Sequence, residues 1–257
     1  MKLHARYVAK PWGRTELPPI FSPPDGERIG EVWFEGESDL PLLAKYIFTS
    51  ERLSVQVHPD DEQARARGLP RGKSECWYIL DAEPGATLGL GFQRELSGEE
   101  LRQSALDGSI VELMQWHPVE AGDFFFVPAG TVHAIGGGIS LLELQQNSDV
   151  TYRLYDYGRP RELHLEDGVS VAKPRPYDST LKQRLTGSEE ETLVDGPHFT
   201  LVRTTADALQ RRMRWALPLD GTVKSNGQTA GPGECLLLRP DNEMETDGRP
   251  LLIGAPC

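Results

Sequence analysis

The chain has 257 residues, of which 38% are hydrophobic, and it contains 26 glycines and 20 prolines. This length suffices for one large β domain or two small ones, and the many turn-forming residues argue against a helical bundle. The net charge of −12 argues against a general nucleic-acid or membrane binder. No hydrophobic run approaches the roughly 18 residues that a membrane span requires.

The three cysteines, Cys76, Cys235 and Cys257, lack C-x-x-C spacing. They are typical of reduced thiols and predict a cytoplasmic protein without a disulfide framework. No hydrophobic segment follows the first six residues, so we expect no signal peptide.

The first half of the chain alternates short strand candidates with two helical segments. Residues 1–28 are rich in proline, and we expect them to form an arm packed over the domain that follows. A short helix is predicted at Glu62–Arg67, after Asp60, and a capping box at Ser97–Glu100 predicts a helical insertion at about 97–115, broken near Gly108. The strand candidates are Ile29–Glu35, Leu43–Phe48, Leu53–His58, Lys73–Leu80 and Ala86–Gly91.

Further strand candidates continue to the end of the chain, at Asp123–Pro128, His133–Ile135, Ser140–Gln146 and Thr151–Asp156, then in five short segments between 199 and 253. Many short strands with regular turn signals predict a mainly all-β fold built on a jelly-roll barrel. We expect a metal-binding barrel at 29–160, a crossover at 161–190, and a smaller β domain without metal at 191–257.

A candidate metal site begins at Gln56 and His58, which lie two positions apart in an alternating strand pattern. That spacing places both side chains on one face. The other half of the site can come from Glu75 and His133, so the four side chains predict a nitrogen and oxygen site for a divalent metal. Zn²⁺ suits these ligands, as do Fe²⁺, Co²⁺ and Mn²⁺.

The segment Gly122-x5-Pro128-x-Gly130-x2-His133 resembles the second signature of the cupin superfamily. A wider set of motifs resembles the short, type I-like bacterial mannose-6-phosphate isomerases. These motifs are Lys10-Pro11-Trp12-Gly13, Ile29-Gly30-Glu31-Val32-Trp33, Val55-Gln56-Val57-His58-Pro59-Asp60-Asp61, Lys73-Ser74-Glu75-Cys76-Trp77-Tyr78, and Glu143-Leu144-Gln145-Gln146-Asn147-Ser148-Asp149 with the following Arg153.

The resemblance implies a cupin jelly-roll barrel with a Zn²⁺ held by Gln56, His58, Glu75 and His133, and a functional arginine at Arg153. It implies interconversion of mannose 6-phosphate and fructose 6-phosphate through an enediol or enediolate.

Other site residues are expected around this metal. Lys73 shares the face of Glu75 on a strand and is a candidate catalytic and substrate-binding residue, as is Arg153. Glu143 is a second candidate for the proton-transferring base, and Trp12 is a candidate for lining the sugar site. The expected partner is a small sugar phosphate, with no nucleic acid and no membrane, and the choice between a monomer and a homodimer stays open.

The sequence leaves alternatives to this function open. The chain could act on a different sugar phosphate, or bind a sugar phosphate as a sensor without turnover. Two histidines and a carboxylate are also the iron ligands of oxygenases, although Gln56 as a fourth ligand disfavours chemistry that needs open positions on the metal.

Overall fold

The computed structural model describes residues 1–37, 39–185 and 190–257, and strands dominate them. In chain order they are β1 (His4–Arg14), β2 (Ile29–Glu35), β3 (Leu42–Phe48), β4 (Val55–Val57), β5 (Glu75–Ala82), β6 (Thr87–Phe92), β7 (Met114–Pro118), β8 (Asp123–Val127), β9 (His133–Ile135), β10 (Ile139–Gln146), β11 (Tyr152–Tyr155), β12 (Lys182–Arg184), β13 (Glu191–Asp195), β14 (Phe199–Thr204), β15 (Arg214–Pro218), β16 (Val223–Ser225), β17 (Gln228–Ala230), β18 (Leu236–Leu238), β19 (Glu245–Thr246) and β20 (Leu251–Pro256).

Short helices connect some of these strands: α1 (Asp61–Arg65), α2 (Gly98–Asp107), α3 (Ile110–Leu113), α4 (Leu165–Val171) and a 3-10 turn at Ser179–Leu181. Asp60 caps α1 and Ser97 caps α2, each with a reciprocal capping box. Gly108, with φ of +83°, ends α2, so the predicted pair of short helices is confirmed. None of these helices is long and apolar enough to cross a membrane.

Two antiparallel sheets face each other and form the barrel. The larger has the order β1-β2-β3-β10-β5-β8-β12 and the smaller has the order β11-β4-β9-β6-β7. Their inner faces share one hydrophobic cluster, in which Trp77, Ile79 and Phe125 of the first sheet meet Leu88 and Ile135 of the second. Because successive side chains of a strand point to opposite faces of the sheet, every second side chain enters this core and the others lie on the outer face.

The outer face of the larger sheet is covered by a third sheet, with the order β13-β14-β20-β15-β18. Leu142 and Leu144 of β10 pack there with Phe199, Trp215 and Leu252. A further sheet, β17-β16-β19, packs on the far side of the third one. The mainly β fold with a jelly-roll barrel, predicted from the sequence, is confirmed.

The segments before and after the predicted barrel segment supply the two edge strands of its larger sheet. The expected arm, 1–28, supplies edge strand β1, and the expected crossover, 161–190, supplies α4 and the opposite edge strand β12. The domain limits given above stay a prediction.

A buried ion pair stabilises the C-terminal part of the chain. Arg214 is fully buried and binds Asp207 through two hydrogen bonds, of 3.0 and 2.9 Å. Since Asp207→Ala would remove the counter-ion that this guanidinium has among the described residues, we expect the substitution to lower the free energy of unfolding by about 3 kcal/mol. Urea denaturation measures the change.

The matched control for this substitution is Glu166→Ala. Glu166 forms a pair of the same type with Arg102, at 2.7 Å, but both side chains are exposed. We expect the unfolding midpoint of this variant to match that of the parent protein. Equal midpoints for both variants would contradict a stabilising role for Asp207.

Candidate metal centre and its cavity

The strand pairing builds the site in rows across the inner face of the larger sheet. Lys45 on β3 pairs with Glu143 on β10, and Glu143 pairs with Trp77 on β5. One row away, Gln145 pairs with Glu75. Because the side-chain period of a strand is two, these residues all point to the same face. The row on the other side of Glu143, away from Gln145, is apolar. The polar rows therefore form the wall of a cavity at one end of the barrel core.

Three of the four predicted ligands meet at this end of the barrel. Donor atoms of His58, Glu75 and His133 all lie within 4.8 Å of one another, and all three side chains are buried. His133 Nε2 lies 3.3 Å from Glu75 Oε1, and His58 Nε2 lies 3.6 Å from Glu75 Oε2. Glu75 is 1% exposed, and its Oε2 lies 3.0 Å from Lys73 Nζ without a well-aligned hydrogen bond from the described residues. A buried carboxylate requires positive charge beside it, and the two imidazoles with this carboxylate form a donor set that suits a divalent metal.

Backbone carbonyls orient both imidazoles toward the shared centre. His58 Nδ1 lies 2.8 Å from the carbonyl oxygen of Val150, and His133 Nδ1 lies 2.9 Å from that of Thr131. A carbonyl only accepts, so each Nδ1 carries the proton and each Nε2 presents its lone pair. This is the usual support of a metal-binding histidine.

Burial and charge set the protonation of the three groups. Burial, with the nearby Lys73, lowers the pKa of His58 to about 3. Burial also lowers the pKa of His133. Burial would raise the pKa of Glu75, but Lys73 and His58 outweigh it and hold this pKa well below its usual range. The site is therefore two neutral imidazoles and one carboxylate at neutral pH, the protonation that metal ligation requires.

Gln56 reaches the same centre from β4, where its backbone pairs with His133. Its Nε2 lies 3.2 Å from His133 Nε2, and its Oε1 accepts a hydrogen bond of 3.4 Å from Ser54 Oγ. The two amide atoms are nearly equal in size, and a half-turn of the amide exchanges them. Gln56 therefore lies where a fourth ligand belongs, and its ligation stays a prediction.

Lys73 also lies at the centre, as the sequence pattern predicts. It is 5% exposed, and its Nζ lies 3.0 Å from Glu75 Oε2 and 3.1 Å from His58 Nε2. Its ammonium therefore faces the same donor atoms that a metal would use.

A second buried ion pair, between Glu143 and Lys45, forms the neighbouring wall. Lys45 Nζ lies 3.1 Å from Glu143 Oε1, and both side chains are nearly inaccessible. Burial raises the pKa of Glu143 to about 7, against the opposing effect of Lys45. The ammonium of Lys45 is itself held charged by Glu143 and Glu31, which raise its pKa despite burial. A carboxylate with a pKa close to neutral is suited to accept and return a proton.

The remaining predicted residues line one cavity of about 240 Å³, together with Glu75 of the metal cluster and the Lys45–Glu143 pair. Trp12 is 2% exposed and forms part of its wall. Arg153 is partly buried, and its Nε has no hydrogen-bond partner among the described residues. Burial, followed by the nearby Arg161, lowers the pKa of Arg153. Arg161 lines the cavity too, bound to Asp156 through two hydrogen bonds of 2.6 and 2.7 Å.

Sequence reasoning gave no role to several polar residues of the cavity, among them Glu31, Lys45 and Gln145. Lys45 had a usable signal, since it is the one charged residue of the otherwise apolar run Leu42–Phe48. A charge inside a buried strand needs a partner, and the structure supplies Glu143. The partner itself depends on strand register, which the sequence does not show.

The relatives found by sequence comparison are named mannose-6-phosphate isomerases. The chain is 44% identical over 174 residues to a mannose-6-phosphate isomerase of Streptococcus mutans, covering 65% of this chain and 55% of that protein. It is 44% identical over 162 residues to mannose-6-phosphate isomerase ManA of Bacillus subtilis, covering 57% of this chain and 51% of that protein. The chain thus spans about half the length of the curated relatives it matches. No protein-family model matches it.

Structural similarity extends further along the chain. A crystal structure of the mannose 6-phosphate isomerase from Bacillus subtilis superposes with a TM-score of 0.78 and 26% identity, covering 98% of both chains. The resemblance to mannose-6-phosphate isomerases that the sequence motifs predict is confirmed.

Proposed function

Proceeding from this relationship, we propose that the protein is a metal-dependent aldose–ketose isomerase that interconverts mannose 6-phosphate and fructose 6-phosphate. The observation that supports it most is the composition of one cavity. Glu75, which clusters with His58 and His133, lines this cavity together with a second buried carboxylate, Glu143, whose pKa is about 7.

His58, Glu75 and His133 would hold the metal, with Gln56 as the fourth ligand. The donor set of two imidazoles, a carboxylate and an amide oxygen suits Zn²⁺. When bound, the metal supplies Lewis acidity to the sugar oxygens. The carbonyl partners of both histidines keep the imidazoles oriented, which limits the reorganisation that binding costs.

The proton transfer between C1 and C2 requires a base that can also return the proton. Glu143 is our candidate, because a base with a pKa near the working pH contributes roughly 10²- to 10⁴-fold to the rate. Lys45, 3.1 Å away, stabilises the ionised form of Glu143 and orients it. Lys73 is the second candidate, and its Nζ lies 3.0 Å from Glu75 Oε2.

Two arginines, Arg153 and Arg161, would bind the negatively charged groups of the substrate. Arg153 presents an Nε without a partner among the described residues, and Arg161 lies beside it in the cavity wall. A guanidinium stays charged and binds phosphate or enediolate oxygens without changing its protonation. These local cations would recruit an anionic substrate against the net charge of −12. Trp12 would form the apolar side of the sugar site.

We also propose a cytoplasmic location, which the three free cysteines support. A small sugar phosphate is the partner that the cavity suits, since its volume of about 240 Å³ is too small for a macromolecular ligand.

Metal removal tests the proposal directly. Purified protein of measured metal content is assayed for conversion of mannose 6-phosphate to fructose 6-phosphate before and after chelation. We expect turnover to vanish on chelation and to return with Zn²⁺, because the metal supplies the Lewis acidity. The apo protein with Mg²⁺ is the control, since Mg²⁺ prefers all-oxygen sites. Full turnover after complete metal removal would contradict the proposal, and a bound metal without turnover would favour a sugar-phosphate sensor.

A further inference from the structure

Gln145 is a buried cavity residue that neither the metal cluster nor the proposed proton transfer uses. It lies on β10, two positions from Glu143 and opposite Glu75 in the strand pairing. The spacing puts its side chain on the inner face, in the cavity wall. The side chain is 1% exposed.

The direction of the Gln145 amide follows from its partners. Nε2 donates to the carbonyl oxygens of Gln146, at 2.9 Å, and Ser148, at 2.6 Å. Because both partners accept only, the nitrogen must face them, and the usual ambiguity between the two amide atoms does not arise. Oε1 is thereby fixed on the opposite side of the amide.

The turn that anchors the amide is itself held in place. Gln146 accepts a hydrogen bond from the backbone nitrogen of Ser74 and donates to Asp61 Oδ1, at 2.8 and 2.9 Å. The hydroxyl of Ser148 donates to the carbonyl oxygen of Arg71. A group held in this way is pre-organised, so little conformational entropy is lost when a ligand binds to it.

Oε1 of Gln145 is buried and accepts no hydrogen bond from the described residues. Buried polar atoms in folded proteins nearly always have a partner. The three ammonium groups that line the cavity are engaged with carboxylates: Lys45 with Glu143, Lys73 with Glu75 and Lys10 with Glu31. The missing donor is therefore a group that enters the cavity, and a sugar hydroxyl is a neutral donor suited to a carbonyl oxygen.

We propose that Gln145 is a specificity-determining residue that accepts a hydrogen bond from the substrate hydroxyl at C3 or C4. The inference rests on the proposed isomerase function. The oxygens on C1 and C2 take part in the reaction, C6 carries the phosphate, and the C5 oxygen closes the sugar ring, so C3 and C4 carry the hydroxyls that are free in both the ring and the open-chain form of mannose 6-phosphate.

The test combines Gln145→Met, which keeps the length of the side chain and removes its polar atoms, with deoxy substrates. The kcat/KM values are measured for mannose 6-phosphate and its 3-deoxy and 4-deoxy analogues. In the parent protein, we expect one analogue to lose about 10- to 100-fold, because it leaves the buried oxygen without a donor. In Gln145→Met, kcat/KM for mannose 6-phosphate should fall to the value that the parent protein shows with that analogue. The kcat/KM for the analogue itself should change little.

Gln146→Met is the matched control. It removes two hydrogen bonds from the same turn, but Gln146 does not line the cavity. A merely structural effect should lower kcat/KM by the same factor for all three substrates. Equal losses for all three substrates in Gln145→Met as well would overturn the inference while leaving the isomerase function intact. Absence of turnover in the parent protein would overturn the proposed function, and this inference with it.

Discussion

His133→Ala is expected to abolish both metal binding and turnover. His133 Nε2 faces Glu75 and His58 at the centre of the cluster, and its removal leaves one imidazole and one carboxylate from the buried set. Lewis-acid activation contributes several kcal/mol, so we expect turnover to fall by at least about 10³-fold. The checks are the zinc content of the purified protein and the rate of fructose 6-phosphate formation.

His117→Gln is the control for this experiment. His117 is a partly buried histidine that packs against Tyr177 and Phe125, outside the cavity. We expect the His117→Gln variant to bind one zinc per chain and to form fructose 6-phosphate at the rate of the parent protein. Circular dichroism of both variants shows whether the fold persists. A folded His133→Ala protein that keeps its zinc or its activity would contradict the assignment of His133 as a ligand.

Glu143→Gln is expected to lower kcat by roughly 10²- to 10⁴-fold, the usual contribution of a general base. The parent protein should also show a pH dependence set by this group. A base acts only when deprotonated, so activity should rise about tenfold per pH unit below a pKa of about 7 and level off above it. The amide has no such ionisation, so this limb should disappear in Glu143→Gln. The pH profile is recorded from pH 5.5 to 8.5 with saturating Zn²⁺.

Glu31→Gln separates this effect from a general loss of charge. Burial would raise the pKa of Glu31, but Lys45 and Lys10 outweigh it and keep this pKa below its usual value. Glu31 is therefore ionised throughout the range, and its variant should keep the limb near pH 7. A parent profile that is flat between pH 6 and 8, or a limb that survives in Glu143→Gln, would exclude Glu143 as the base.

The parts of the site that the sequence predicts correctly are those encoded within single segments. Alternation along β4 predicts that Gln56 and His58 are close, and the Pro128–Gly130 turn predicts the position of His133. The structure brings His58, Glu75 and His133 together as expected. The capping boxes at Asp60 and Ser97 are equally local, and both are present.

The parts that could not be predicted depend on pairing between distant strands. Lys45 meets Glu143 because β3 pairs with β10 in one particular register. A shift by one residue would turn both side chains to the opposite face, and no local pattern reveals which register forms. The orientation of Gln145 likewise depends on the turn at 146–148, whose shape is fixed by contacts with Ser74, Asp61 and Arg71.

The contact between residues 1–3 and residues 235–237 constrains the order of folding during synthesis. The amino group of Met1 donates to the carbonyl oxygen of Leu237, 236 positions away, and the backbone nitrogen of Leu3 donates to the carbonyl oxygen of Cys235. On the ribosome, the barrel segment emerges long before these partners exist. These hydrogen bonds can therefore form only after residues 235–237 have been synthesised, so this pairing is a late step in folding that depends on long-range contacts.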